Sequence, residues 1–226
     1  MFYFLVYNDN THSQHIIKLL ESVKNYGKYF NIIVFNKSNI DKQFIKNNKN
    51  ILDLKRGGGY WLWKPYIINN AINKINNEDI LFYIDSQYYF IEEFTNLFVD
   101  YMKTHDCLIF KNKPNYNTHY MKNWCKMDVI CKYNMIDDVF NNNVEDCWAG
   151  CIILKKNDNT IKYVKEWLNM CCDYENITDS PSKLQNNSAY IEHRHDQSLL
   201  SIIVHKYNIP LQFLENKYIQ NVRNPF

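Results

Sequence analysis

An α/β fold is what this sequence predicts, and three strand-like features carry that expectation, the first two joined by a helical pattern. The chain opens on an apolar run at residues 2–7, a polar turn Asn8-Asp9-Asn10-Thr11, a helical pattern at about 12–25 and a second apolar run at 31–35. This β-α-β start is usual for α/β domains. The third feature is Ile80-Leu-Phe-Tyr-Ile84, apolar throughout, as expected of a central strand covered on both faces. It ends abruptly in Asp85. Ligands of open α/β sheets bind outside the carboxyl ends of the strands, so an acid there is placed to hold a metal or a sugar hydroxyl. Asp85 is also a good turn residue before Tyr88, and the strand alone leaves both roles open.

The remaining elements follow in order. Ile16, Ile17, Leu20 and Val23 share one face of the first helix. Residues 38–50 read as a charged helix or loop, and 51–54 as a short strand. Residues 65–75 form a helix with Pro65 in its first turn. A further amphipathic helix is expected over 90–103, a strand over 107–110, and short helices over 127–133 and 136–140. Glu145 and Asp146 lead into an apolar strand that ends at Leu154. Ile161, Val164, Trp167, Leu168 and Cys171 define a helix over 160–172. Residues 175–190 read as a long polar loop of the lid or binding kind. A helix over 199–205 and a last short strand over 211–213 complete the pattern.

At 226 residues the chain suits a single domain with a sizeable core. Its 26 Lys and Arg against 24 Asp and Glu give a net charge of +2, too balanced for a nucleic-acid footprint. Seven cysteines at irregular spacing make no disulfide framework and suit a reduced cytoplasm. No cysteine pair, Cys147 with Cys151 included, has the spacing of a structural zinc knuckle. No apolar run approaches the ~20 residues of a membrane span, and the N-terminus reads as a first strand, not a leader.

Two clusters stand out chemically. Lys55-Arg56-Gly57-Gly58-Gly59-Tyr60-Trp61-Leu62-Trp63-Lys64-Pro65 holds three of the five glycines between basic and indole side chains. Consecutive glycines permit positive φ and close approach to a ligand, and the flanking charges suit phosphates. The pattern is neither a Walker loop nor a spaced dinucleotide fingerprint. The second cluster, Glu192-His193-Arg194-His195-Asp196-Gln197-Ser198, lies at a helix start, where free N–H groups favour anions. Asp196 as a plain helix cap is the bland alternative.

Taken together, Gly58-Gly-Tyr-Trp-Leu-Trp-Lys-Pro65, Tyr83-Ile-Asp-Ser-Gln87, Trp148-Ala-Gly-Cys-Ile-Ile-Leu154 and His193-Arg-His-Asp-Gln-Ser198 resemble a family of small GT-A-fold glycosyltransferase-like proteins. That family occurs in bacteria, eukaryotes and large DNA viruses. The resemblance covers residues 2–215 and implies one Rossmann-like domain, a mostly parallel central sheet flanked by helices. It also implies a nucleotide-sugar donor, UDP-sugar favoured, a glycan or glycoprotein acceptor, and a divalent metal, Mn²⁺ or Mg²⁺. The family's metal motif carries Asp-x-Asp or Asp-Ala/Ser-Gly, whereas this chain has Asp85-Ser86-Gln87, without the second carboxylate.

On that resemblance Asp85 and His195 are the expected metal contacts. Tyr7, Arg56, Gly57, Gly58, Trp61, Lys64, Ser86, Gln87 and Arg194 are the expected nucleotide-sugar contacts. Asp196 is expected to position the acceptor hydroxyl, with Asp146 as second choice. Sugar transfer builds negative charge on the leaving diphosphate and positive charge on the anomeric carbon, which is why cations and a carboxylate are needed together. A non-catalytic sugar- or nucleotide-binding module is the main alternative, supported by Gln87. A phosphotransferase would want a Walker loop or paired carboxylates, and a nuclease a basic groove. The Asn-, Lys- and Ile-rich composition suits an AT-rich genome such as that of a large DNA virus, where the protein would act in host cytoplasm.

Overall fold

The computed structural model describes residues 1–8, 13–27, 30–111, 119–214 and 217–222. Most of the expected turn at 8–11, and much of the 111–126 stretch, lie outside these. Strands β1 (Phe2–Asn8), β2 (Phe30–Asn36), β3 (Ile80–Ile84), β5 (Cys107–Lys111), β6 (Cys147–Lys155) and β7 (Leu211–Gln212) build one sheet, and β4 (Tyr88–Phe90) pairs with β8 (Ile219–Asn221) in a second. The sheet order is β2-β1-β3-β6-β5-β7, and every strand runs one way except β6. A mostly parallel sheet flanked by helices is therefore the architecture, as the sequence predicts. Every residue of β3 is buried, which matches its lack of a polar position.

Helices cover both faces. On one face α1 (Ser13–Tyr26) and α5 (Thr95–Tyr101) close a phenylalanine cluster of Phe4, Phe82, Phe90, Phe94 and Phe98. Phe90 and Phe94 stack at 3.4 Å, and such pairs add about 0.5–1.5 kcal/mol beyond burial. On the other face lie α4 (Trp63–Lys74), α9 (Asp158–Cys171) and α11 (Asp196–Lys206), which bury Ile67, Ile68, Trp167, Leu199 and Ile203. Between them in sequence come α2 (Lys42–Asn47), α3 (Lys49–Leu52), α6 (Met121–Trp124), α7 (Met127–Lys132), α8 (Ile136–Phe140) and α10 (Tyr174–Ile177).

Three expectations change. The short strand expected at 51–54 is instead the end of α3, whose Ile51 and Leu52 are buried against the core without any strand partner. The helix expected over 90–103 begins only at Thr95, because Tyr88–Phe90 is taken into pairing with β8. The loop expected over 175–190 opens with α10 and is pinned beyond it. Lys126 Nζ donates to Thr178 O, Ser180 O and Ser180 Oγ, and the Asp128 carboxylate accepts from the Lys183 and Leu184 amides.

The glycine cluster forms a turn of unusual hand. Gly57, Gly58, Gly59, Tyr60 and Trp61 all have positive φ, from +51° to +96°, and Tyr60 N donates to Arg56 O as a left-handed turn closes. Each non-glycine residue in that region costs about 1–2 kcal/mol, so the run is tolerable mainly because three members lack Cβ. A Cβ on Gly59 would stand 2.7 Å from Leu52 Cα, whereas one on Gly58 would meet nothing nearer than Trp63 Nε1 at 3.7 Å. Gly59→Ala is therefore expected to lower the urea midpoint well beyond the effect of Gly58→Ala, which carries only the conformational cost of about 1–2 kcal/mol. Equal effects would contradict the close packing of this turn on α3.

Candidate active site

Sheet order places the site. Strand β1 has β2 on one side and β3 on the other, so the chain reverses its direction of growth between β1 and β3. At such a switch point the carboxyl ends of two strands leave a crevice. Tyr7 stands at the end of β1 and Asp85 directly after β3. Because β6 runs antiparallel to β3, its amino end, with Asp146 just before it, reaches the same edge. The amino ends of α4 and α11 bring Lys64 and Asp196 there as well, as their ion pairs show.

Lys64 is the centre of this cluster. Its Nζ lies 3.2 Å from Asp85 Oδ1 and 3.1 Å from Asp196 Oδ2, and it donates to Ala149 O at 3.2 Å. The lysine side chain is only 4% exposed. Burial lowers its pKa, but Asp196 and Asp85 outweigh that and hold it above the ordinary lysine value. Burial pushes the Asp196 carboxyl up to about 6; Lys64 opposes the rise and Asp85 adds to it. The Asp196–Lys64 contact is oblique, leaving Asp196 Oδ2 buried with an ion pair but no aligned hydrogen bond. Tyr83 donates its hydroxyl to Asp85 Oδ1 at 2.6 Å, and burial, then Asp85, raises its own pKa well above the usual phenol value.

A second layer fixes Asp196. Trp167 Nε1 donates to Asp196 O at 2.8 Å. Gln197 Nε2 donates to Asp146 Oδ2 at 2.6 Å, and Ser201 Oγ donates to Asp146 Oδ1 at 2.8 Å. Asp146 is fully buried, and these bonds tie the start of β6 to the first turns of α11. In this position Asp146 acts on the site through Gln197 and the helix, not through solvent.

His195 belongs to the neighbouring corner. Its φ is +53°, Nδ1 donates to Ile177 O at 2.8 Å, and Trp61 stacks over the ring at 5.3 Å. With Nδ1 carrying the proton, Nε2 presents a lone pair, buried and without a hydrogen bond, 3.8 Å from Asp179 Oδ1. Burial lowers the His195 pKa, so the ring is neutral. Asp179 takes both Arg56 Nη1 contacts at 3.0 and 2.9 Å and the Tyr60 hydroxyl at 2.8 Å. Those hydrogen bonds overcome the burial that would raise its pKa and hold it below the usual carboxylate range. Glu192 pairs with Arg56 at 3.4 Å and Arg194 at 3.3 Å, and Arg194 lies over Trp124 at 3.9 Å.

The sequence-predicted residues thus fall into groups. Lys64, Asp85 and Asp196 meet at one ammonium. Arg56, Trp61, Arg194 and His195 gather around Asp179 and Glu192 together with the left-handed turn of Gly57 and exposed Gly58. Tyr7 stacks on Trp63 at 4.0 Å and 14°, and Trp63 Nε1 donates to Gly57 O at 2.9 Å. Ser86 and Gln87 form the turn into β4, where Gln87 O accepts from Val222 N. Sequence reasoning noted Trp63 as a flat face beside the glycines but gave it no contact, and it missed Asp179, Tyr60 and Tyr83. Of the missed residues, Tyr83 carried a signal, since strand alternation puts residues 83 and 85 on one face.

The donor set fits a divalent ion in part. Among the described residues no three His, Cys, Asp or Glu side chains converge as a metal site would require. Asp85 Oδ1 is engaged by Tyr83 and Lys64, while Oδ2 has no partner among the described residues on a side chain 24% exposed. His195 faces Asp179 and is part of no such group.

No protein-family model and no curated protein matches the sequence. Solved structures do match in fold. The apo form of mouse xyloside xylosyltransferase 1 superposes with a TM-score of 0.52 at 8% identity, over 95% of this chain and 84% of that one. The apo bifunctional glycosyltransferase WbbM gives a TM-score of 0.52 at 11% identity, over 93% of this chain and 38% of that longer one. At these identities the likeness is one of architecture: the chain has the α/β fold of these glycosyltransferase structures.

Proposed function

We propose that this protein is a glycosyltransferase that moves a sugar from a nucleotide-sugar donor, UDP-sugar favoured, to a glycan or protein acceptor. The observation that carries the reading is the meeting of Asp85 and Asp196 at Lys64 Nζ, at the switch point of a sheet shared in fold with solved glycosyltransferases. The Tyr7–Trp63 stack offers a flat face for the base or ribose, and the Gly57–Gly59 turn brings bare backbone beside it. A divalent ion, Mn²⁺ or Mg²⁺, would be held by Asp85 and would supply positive charge for the leaving diphosphate. Asp196 positions the acceptor hydroxyl and takes its proton; Lys64 opposes the rise of the Asp196 pKa and sits between that carboxyl and Asp85; Asp146 holds Gln197 and thereby the start of α11. No helix among the described residues is long and apolar enough to cross a membrane. The seven unpaired cysteines suit a reduced compartment, host cytoplasm if the gene is that of a large DNA virus.

A non-catalytic nucleotide-sugar- or glycan-binding module is the second reading. Its support is that Gln87 stands where a second carboxylate is expected, and that Arg56 and Arg194 are already paired with acids.

Incubation with UDP-, GDP-, CDP- and dTDP-sugars, with sugar release and nucleotide binding measured side by side, separates the two. The transferase reading expects release from one donor class, lowered about 10²–10⁴-fold in Asp196→Asn with nucleotide binding retained. Binding without release from any donor supports the module. The rate is also expected to fall as pH drops through about 6, because a proton acceptor must be ionised and the Asp196 carboxyl gains its proton there. A rate that is level from pH 5 to 8 would contradict Asp196 as the acceptor of the proton.

A further inference from the structure

The phenylalanine cluster does not close on itself. Among the described residues it leaves a pocket of about 140 Å³ on the sheet face away from α4, α9 and α11. The floor is Phe82 of β3, Leu108 of β5 and Cys151 and Ile153 of β6, Phe98 of α5 forms a wall, and residues 212–219 supply the roof. Protein interiors pack as densely as organic crystals, and voids larger than a water molecule are few. Of the lining residues only Tyr101, Gln212 and Tyr218 carry a side-chain oxygen, and Gln212 Nε2 already donates to the Tyr101 hydroxyl at 3.2 Å. A buried water needs two to four polar partners, whereas an apolar cavity of about 150 Å³ stays dry and takes a benzene ring. Phe213, half-exposed, marks where the pocket opens to solvent.

Position says what fills it. Cys151 lies opposite Ile84 in the β3–β6 ladder, and the next residue, Asp85, donates its N–H to Gly150 O. Phe90, also in the lining, belongs to β4, which leaves Asp85 through Ser86 and Gln87. The pocket therefore reaches the sheet edge that carries the carboxylates, from the opposite face. We propose that it receives an apolar group of about six carbons, an aromatic ring or a short alkyl chain, carried at one end of the acceptor. The acceptor then lies across the carboxyl edge of the sheet, with its reacting hydroxyl at Asp196. This rests on the transferase reading above. An acceptor made of sugar alone leaves the pocket empty.

Two experiments on the full chain test the inference. Thermal unfolding is followed with and without saturating benzene, since a ligand of the folded state raises the Tm by mass action. Mono- and disaccharides are then offered as methyl, hexyl and phenyl glycosides together with UDP-, GDP-, CDP- and dTDP-sugars. Expected are a higher Tm in benzene and a KM about 10–100-fold lower for hexyl and phenyl acceptors than for methyl ones. Leu108→Phe from the floor and Ile219→Phe from the roof each fill the space, and each is expected to abolish both differences. No rise in Tm, a rise that persists in either filled variant, or methyl and phenyl acceptors used alike would each overturn the inference and leave the transferase reading standing. If no glycoside is extended from any donor, the transferase reading itself falls, and the acceptor claim with it.

Discussion

The ammonium of Lys64 is the contact on which the candidate site depends. Two carboxylates at the end of one sheet would repel one another, and burying either without a counter-ion is expensive. One buried cation within 3.2 Å of both resolves the conflict and fixes their spacing. Such a cluster adds little net stability compared with apolar packing, yet removing one partner leaves an uncompensated buried charge. The arrangement therefore makes more sense as a device for holding two carboxyl groups side by side than as a fastening for the fold.

Everything around that ammonium serves its placement. The turn at Gly57–Trp61 winds left-handed so that α4 starts where Lys64 points under the sheet edge, and the antiparallel β6 delivers the Ala149 carbonyl as its third acceptor. Asp146, which lies out of contact with solvent, transmits position from β6 to α11 through Gln197 and Ser201. On the far side, Asp179 gathers Arg56, Tyr60 and His195 and joins the pinned 178–190 segment to the glycine turn. The site is thus assembled from five separated stretches of chain, each anchored by a buried polar contact.

Much of this was legible in the residues. Long periodic or wholly apolar segments such as β3 and α9 declared themselves, whereas the residues alone gave separate clusters beside strand and helix ends, and it was the family resemblance that joined Asp85, Lys64 and Asp196 in one expected site. What failed has physical causes. Residues 51–54 look like a strand because four residues carry too little periodicity to separate a buried helical turn from a strand. Phe90 looks like the start of a helix until β8, more than a hundred residues away, claims the backbone of Tyr88–Phe90. Asp179 gave no sign, since a lone acid in a polar loop is ordinary and only the fold brings it to Arg56, at a sequence separation of 123. The pairing of Arg56 and Arg194 with acids was equally invisible, and it changes their meaning from free phosphate contacts to members of an ion-pair chain.

The central claim, that one buried ammonium balances Asp85 and Asp196, is tested most directly by a mutant cycle read out in urea unfolding free energies. Lys64→Met keeps the side-chain volume and removes the charge. The account predicts a loss of about 3–5 kcal/mol in that variant, most of it recovered when Asp85→Asn and Asp196→Asn are added. A Lys64→Met variant within about 0.5 kcal/mol of the parent, or a triple variant no more stable than the single one, would contradict it.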